Sequence, residues 1–322
     1  MQPILDFGVR LIVALQGFGN WLELPMKFFS FMGTEEFFMV VLPALYWCLD
    51  SSLGIRVAVI LMISGAFNDA LKMAFHGTRP YWYSAQVKGL ASETSFGVPS
   101  NHAQSATVIW GMLAAYLRKW WAWLAAILLI LMIAVSRLYL GVHFPHDVLL
   151  GLLLGGLLLW LVLRFWKPVV AWAKKKTFGQ QVGIAFLASL VLFLFSLVAF
   201  VWLRDAHWQP PQAWADYAAQ AISLENASTT AGTFFGLMAG LAWIVHKGGF
   251  QTKGLWWQLV LRYFLGVAGV LIIRYGLKFI FPEGETVLAI FFRYVRYMVI
   301  GFWVTGGAPW AFIRLKLAEK AR

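Results

Sequence analysis

The sequence predicts an all-α, polytopic membrane bundle of about nine or ten helices. Hydrophobic residues make up 61% of its 322 residues and charged residues only 12%, too apolar for a soluble domain of this length. Apolar runs of membrane-spanning length recur along it. Trp, Tyr and Phe account for 17%, and such rings anchor at membrane interfaces. Period-2 alternation, the mark of a membrane barrel, is absent.

Residues 4–32 are apolar but carry Asp6, Arg10, Glu23 and Lys27, and read as an interfacial amphipathic helix or a poor first span. Without a clean apolar core and cleavage site, they do not read as a cleavable signal peptide. Helices are predicted at about 36–49, 54–75, 103–118, 120–141 and 146–166. A basic connector with Lys174, Lys175 and Lys176 follows. Further helices are predicted at about 181–203, 231–246, 255–281 and 286–313, and the polar stretch 204–230 reads as a loop with room for a short helix.

The formal net charge of +12 does not point to nucleic acid, because Lys and Arg gather in short loops as the positive-inside rule predicts. Lys174–Lys176, Lys247 with Lys253, Arg118-Lys119, and Arg314 with Lys316 should face the cytoplasm. Alternating the spans from these anchors places loop 76–102, turn 141–146, loop 204–230 and loop 282–285 on the opposite side. The single cysteine, Cys48, excludes a disulfide within the chain.

Three polar clusters share that non-cytoplasmic face. They are Lys72-x6-Arg79-Pro80, Pro99-Ser100-Asn101-His102, and Ser136-Arg137-x5-His143-x3-Asp147. Their chemistry suits a phosphoryl group. Lys72, Arg79 and Arg137 supply fixed positive charge, the arginines with forked geometry. Ser100, Asn101 and His102 open a helix, where free N–H groups and the dipole favour an anion. His143 and Asp147 are four residues apart on one helical face, so Asp147 can hold one ring nitrogen and leave the other free to attack phosphorus. His102 is then placed to protonate a leaving oxygen. A metal site built from His76, His102, His143, His146 and Asp147 is disfavoured by the three cations. The residues alone do not decide which histidine attacks.

The clusters resemble the type 2 phosphatidic acid phosphatase superfamily, which includes glucose-6-phosphatases and vanadium haloperoxidases. Its pattern, K-x6-RP, PSGH and SR-x5-H-x3-D, is matched throughout except at Asn101, which stands in the glycine position. The resemblance covers residues 36–166. It implies a six-helix phosphatase core within residues 1–170, with residues 171–322 a C-terminal membrane extension packed on it. It implies a metal-independent, cofactor-free phosphatase in which His143 is the nucleophile, Asp147 orients it, and His102 is general acid and then base. Lys72, Arg79, Ser100, Asn101 and Arg137 would hold the phosphate.

The expected partners are the lipid bilayer and a membrane lipid phosphate or diphosphate. The expected location is the plasma (inner) membrane, with the site on the non-cytoplasmic face. Arg79-Pro80-Tyr81-Trp82 and His143-Phe144-Pro145-His146 are similar to stretches of glucose-6-phosphatases, so a soluble sugar phosphate is the alternative substrate. A non-catalytic lipid transporter or flippase and a vanadate-using haloperoxidase are further readings. A second anion site is possible at Arg274, Lys278, Arg293 and Arg296, or these residues tie two helices together through Glu283 and Glu285.

Overall fold

The computed structural model of the protein describes residues 2–206 and 208–321, with the side chains of Glu35 and Glu36 outside the description. Its helices are α1 (Gln2–Gln16), α2 (Glu23–Phe31), α3 (Glu35–Ala44), α4 (Ser51–Phe75), α5 (Pro80–Tyr83), α6 (Asn101–Leu117) and α7 (Trp120–Tyr139). They continue with α8 (Pro145–Lys174), α9 (Phe178–Asp205), α10 (Ala215–Ala221), α11 (Glu225–His246), α12 (Trp256–Ile280), α13 (Val287–Phe302) and α14 (Ala308–Arg314). Among the described residues there is no strand.

Among the described residues, seven helical stretches are long and apolar enough to cross a membrane. Helix α6, at 17 residues, and the short apolar stretch Phe37–Leu49 fall below that length, which is why fewer spans are counted than the apolar runs suggested. The N-terminal segment is two short helices broken at Gly17–Gly19, neither of spanning length, in keeping with an interfacial position. Helix α8 continues to Lys174, past the expected end near 166 and through Pro168. A single proline costs a helix one hydrogen bond, and a carbonyl freed near the membrane edge can bond water instead.

By the contacts among its residues, the chain groups into two units that interleave along the sequence. The first comprises Met1–Phe38, Phe67–Leu163 and Ser196–Ser223; the second comprises Met39–Ala66, Arg164–Phe195 and Leu224–Arg322.

In the first unit α7 packs against α1, α2 and α6. The start of α8 lies directly on α6. A Cβ on Gly151 would stand 2.5 Å from the Ser100 carbonyl oxygen, and one on Gly155 2.8 Å from that of Gln104, so only glycine permits this approach. Buried Asn68 of α4 donates to Gln104 Oε1 at 2.9 Å and to the Pro99 carbonyl at 3.4 Å. This pair ties the end of α4 to the start of α6, because a buried amide must find partners.

In the second unit α11 and α13 pack along a glycine stripe of α11, where Gly236 meets the Met298 carbonyl. Buried Arg262 of α12 donates to the carbonyls of Trp47, Gln251, Thr252, Lys253 and Leu317. It lines a cleft of about 500 Å³ together with Lys253, Gln258 and Lys316.

Candidate active site

All three sequence clusters fall in the first unit and converge. Lys72 sits in the last turn of α4, which closes with His76 at φ 35° as the chain turns away. Extended Arg79 then leads into Pro80, which opens α5 with its φ already helical. Ser100 caps α6 by accepting from Ala103 N at 3.5 Å. Arg137 lies in the last turn of α7, and the turn after it folds back so that Val142 N and His143 N both donate to the Arg137 carbonyl, at 3.2 and 3.3 Å. Pro145 opens α8 and sets Asp147 in its first turn. The Asp147 carbonyl accepts from Ser100 N at 3.0 Å, joining the second and third clusters directly.

Lys72, Arg79, Ser100, Arg137, His143 and Asp147 are all buried, while Asn101 and His102 keep partial access to solvent. Charges removed from water need partners, and each finds them. Arg79 donates through Nε to the Ser95 carbonyl at 2.7 Å, through Nη1 to the Val142 carbonyl at 2.8 Å, and through Nη2 to the Phe96 carbonyl at 3.1 Å. Its Nη1 also lies 3.3 Å from His143 Nε2. Lys72 Nζ donates to Ser95 Oγ at 2.6 Å. Arg137 bonds Ser30 Oγ through Nη1 and Glu93 through Nη2.

Asp147 Oδ2 accepts from Phe144 N at 2.8 Å and lies 3.4 Å from His143 Nδ1. That spacing aligns the pair without completing a hydrogen bond, and among the described residues His143 Nδ1 has no hydrogen-bond partner. Such contacts commonly tighten when substrate binds. An imidazole nitrogen is a nucleophile only in its unprotonated form. Burial first, then Arg79, Arg137 and Lys72, push the His143 imidazole well below its usual range, which leaves the ring neutral. His102 acts electrostatically on both His143 and Glu93, which puts it beside the same space. Helical spacing alone would turn His146 away from the site. Instead its ring stacks on Phe144 at 5.4 Å and its Nε2 lies 3.1 Å from Asp147 Oδ1.

Sequence reasoning missed four contributors: Ser30, Ser95, Glu93 and the Asn68–Gln104 pair. Glu93 Oε2 lies 3.8 Å from Arg79 Nη2 while Oε1 binds Arg137. Burial works to raise its carboxyl, but Arg137, then Arg79, His102 and Lys72, outweigh this and hold it well below the usual carboxylate range. One signal was available: Glu93 is the single acid between Asp69 and Asp147, in a stretch with the three clustered cations Lys72, Arg79 and Arg137.

Arg274, Lys278, Arg293 and Arg296 lie in the other unit. Arg293 pairs with Glu225 at 2.6 Å, Lys278 with Glu283 at 3.4 Å, and Arg296 with Glu283 at 3.9 Å. Arg274 Nη1 rests against Met39 Sδ at 3.3 Å. Glu283 thus lies between Lys278 of α12 and Arg296 of α13, whereas Arg293 pairs with Glu225 of α11 and not with Glu283 or Glu285.

Residues 53–171 match the family model of the PAP2 superfamily, and residues 228–320 match that of the PAP2 superfamily phosphatase transmembrane extension. Glucose-6-phosphatase 3 of Bos taurus is 29% identical over 233 residues, covering 65% of this chain and 65% of its own length. The Homo sapiens protein of that name is 27% identical over 245 residues, covering 65% and 69%. A Dictyostelium discoideum protein named "Probable sphingosine-1-phosphate phosphatase" is 27% identical over 206 residues, covering 58% and 50%. The chain thus spans about two thirds or less of the length of these relatives. The crystal structure of a PAP2-type phosphatidylglycerolphosphate phosphatase from Bacillus subtilis is 25% identical, covers 50% of this chain and 86% of its own, and superposes with a TM-score of 0.42. With both family models matched and the three clusters assembled around one buried histidine, the chain belongs to the PAP2, or type 2 phosphatidic acid phosphatase, superfamily.

Proposed function

We propose that the protein is a membrane phosphatase that hydrolyses a phosphate monoester, without a metal, through a phosphohistidine on His143. The observation that carries this is His143 Nε2 in a buried ring of cations, 3.3 Å from Arg79 Nη1, with Asp147 on the far nitrogen of the same ring. Nε2 attacks phosphorus while the bond from phosphorus to the ester oxygen breaks, and His102 gives that oxygen a proton. Water then attacks the phosphohistidine. His102 takes a proton from the water, inorganic phosphate leaves, and Nε2 is free again. Asp147 holds the Nδ1 proton throughout and stabilises the positive ring. Lys72, Arg79 and Arg137 offset the charge on the phosphoryl oxygens, and the start of α6 offers the Asn101 N–H and the Ser100 hydroxyl.

The site opens on the non-cytoplasmic face. Helix α6 carries His102 at one end and Arg118-Lys119 at the other, roughly 25 Å away at 1.5 Å per residue. A membrane lipid phosphate is the first substrate class, because a chain of apolar spans can admit an acyl or prenyl tail from the bilayer. The relatives named as glucose-6-phosphatases favour a sugar phosphate as the second. The common element is a monoester.

The test is phosphate release by purified protein in detergent with EDTA, across lysophosphatidate, sphingoid phosphate, phosphatidate, prenyl diphosphate and glucose 6-phosphate, beside His143→Ala. Activity that survives EDTA, vanishes in the variant and leaves an acid-labile phosphoprotein in wild type supports the reading, and the preferred substrate picks the class. No release by folded protein from any of them sinks it.

A further inference from the structure

Glu93 has no task in the proposed reaction, yet its place in the fold is specific. Its Oε1 binds Arg137, and its Oε2 lies 3.8 Å from Arg79 Nη2. Lys72 and His102 are the other two groups whose charge acts on it. Those four side chains are the ones the reaction needs around a phosphoryl group. A carboxylate presents two anionic oxygens where a phosphoryl group presents three, so it fits the same cradle with fewer bonds. Cations buried without a counter-charge are unfavourable, which gives the free protein a reason to hold an acid there.

We propose that Glu93 is an internal stand-in for the substrate phosphate: its carboxylate occupies the cradle of the free protein and must swing out before a phosphate can bind. The inference rests on the phosphate-cradle reading above and deepens it.

The movement belongs to the side chain, not to the loop that carries it. The loop backbone is tied at several points. Leu90 N donates to the Leu140 carbonyl at 3.0 Å, Gly97 N to the Gly77 carbonyl at 2.8 Å, and Glu93 N to Tyr81 Oη at 3.3 Å. Arg79 holds the carbonyls of Ser95 and Phe96. The Glu93 side chain, by contrast, is 21% exposed and has water to turn into. Rotation about its own bonds vacates the cradle while every backbone tie stays in place.

A stand-in of this kind sets specificity. A ligand displaces Glu93 only by binding Arg137 and Arg79 better than one carboxylate does. A phosphate monoester, with close to two negative charges at neutral pH, meets that condition. A phosphodiester or a carboxylate, with one charge, does not. Glu93 therefore makes the site select monoesters over diesters.

The full chain in detergent is titrated with inorganic phosphate and with dimethyl phosphate, as wild type and as Glu93→Gln, and binding is read by calorimetry. The glutamine variant is expected to bind inorganic phosphate about tenfold tighter and to gain more than that for dimethyl phosphate, so that discrimination between them shrinks. Unchanged or weaker phosphate binding by folded variant overturns the inference. A wild-type measurement stands beside it in case the variant does not fold. Carbodiimide labelling of Glu93, followed by peptide mass spectrometry, is expected to rise when inorganic phosphate is added, because phosphate releases the carboxylate to solvent. Labelling that stays level or falls while phosphate binds overturns the inference and leaves the cradle reading intact. Wild type that binds no inorganic phosphate overturns the cradle reading itself, and the inference with it.

Discussion

Arg79 in the first unit and Arg262 in the second are equally buried, at 0% and 1% exposure, and their surroundings could hardly differ more. Among the described residues Arg262 donates only to backbone carbonyls, five of them, and meets no acid. Those acceptors are fixed by the fold, so all of its hydrogen-bonding capacity goes into holding chain segments together. Arg79 also grips three carbonyls, but the rest of its fork meets side chains: Ser95 Oγ at 3.2 Å, His143 Nε2 at 3.3 Å and Glu93 at 3.8 Å. Side chains can turn aside for an incoming anion, whereas carbonyls in helices and tight turns cannot. A buried arginine is thus a sign of function only when some of its partners can yield.

The strongest way to test that contrast is to remove the nucleophile beside Arg79. His143→Ala is expected to cut kcat by about 10⁴-fold or more, with a thermal midpoint close to wild type. Retained activity would move the chemistry to another residue and deprive Arg79 of its role. The next test makes one substitution at both arginines. Arg79→Lys keeps the charge but loses the fork, and should lower kcat/KM of the folded protein by roughly 10²–10³-fold, with a smaller stability loss than Arg262→Lys because three carbonyls rather than five lose their donor. Arg262→Lys leaves buried carbonyls unpaired and should cost about 3 kcal/mol of stability, with kcat per folded molecule unchanged. The comparison breaks if the two variants trade symptoms.

A pH profile sharpens the same contrast at smaller amplitude. Burial, Arg79, Arg137 and Lys72 all lower the His143 ring, so it sheds its proton below the ordinary imidazole range. The free base is present above that pKa and lost below it. Allowing for the second ionisation of the substrate phosphate near pH 6 and for the proton that His102 must carry to act as acid, the limb of kcat/KM that reports His143 should lie well under about 6.5. Arg137→Gln removes one positive neighbour and should move the acid limb upward. A limb that stays in place would mean that another group limits the rate.

Most of the fold and the core of the site were legible in the sequence, for physical reasons. Membrane helices must satisfy their own backbone and be apolar throughout, so composition alone exposes them. Lys72, Arg79, Arg137, His143 and Asp147 stand out because ionisable residues at membrane depth are costly. Glu93, Ser95 and Ser30 did not stand out. The first two sit in an irregular loop where polar residues are ordinary, and a serine in a helix such as α2 carries no signal of its partner. The contact of His146 with Asp147 was hidden for another reason: the path of the chain through Phe144-Pro145, not helical spacing, decides where that ring goes. The interleaving of the two units was also invisible, because α4 and α8 read as single runs and nothing in them marks residues 66 and 163 as boundaries.

The smallest predicted effect concerns a stretch that neither matched family model covers. Residues Ser196–Ser223 group with the catalytic unit, although the models match 53–171 and 228–320. Their link to the site is aromatic. The Arg79 guanidinium carbon lies 5.6 Å from the Trp82 ring centroid, and Trp82 stacks on Tyr217 at 5.1 Å, tilted by 9°, and on Trp214 at 5.9 Å. Tyr217 therefore packs against the ring on which Arg79 rests, and in the proposed site it would act on the phosphate only through that ring. A stacked pair of this kind is worth about 0.5–1.5 kcal/mol, and only part of it reaches Arg79. Tyr217→Ala should raise KM for a phosphate monoester by about 2–5-fold, with kcat nearly unchanged, and Tyr217→Phe should restore the wild-type value. A fall in kcat with KM unchanged would tie this segment to the chemical step. Loss without rescue by phenylalanine would assign the effect to the Tyr217 hydroxyl instead of the stack. Either result would remove the aromatic link as the reason Arg79 holds its place, leaving the carbonyls of Val142, Ser95 and Phe96 to do it alone, much as carbonyls hold Arg262.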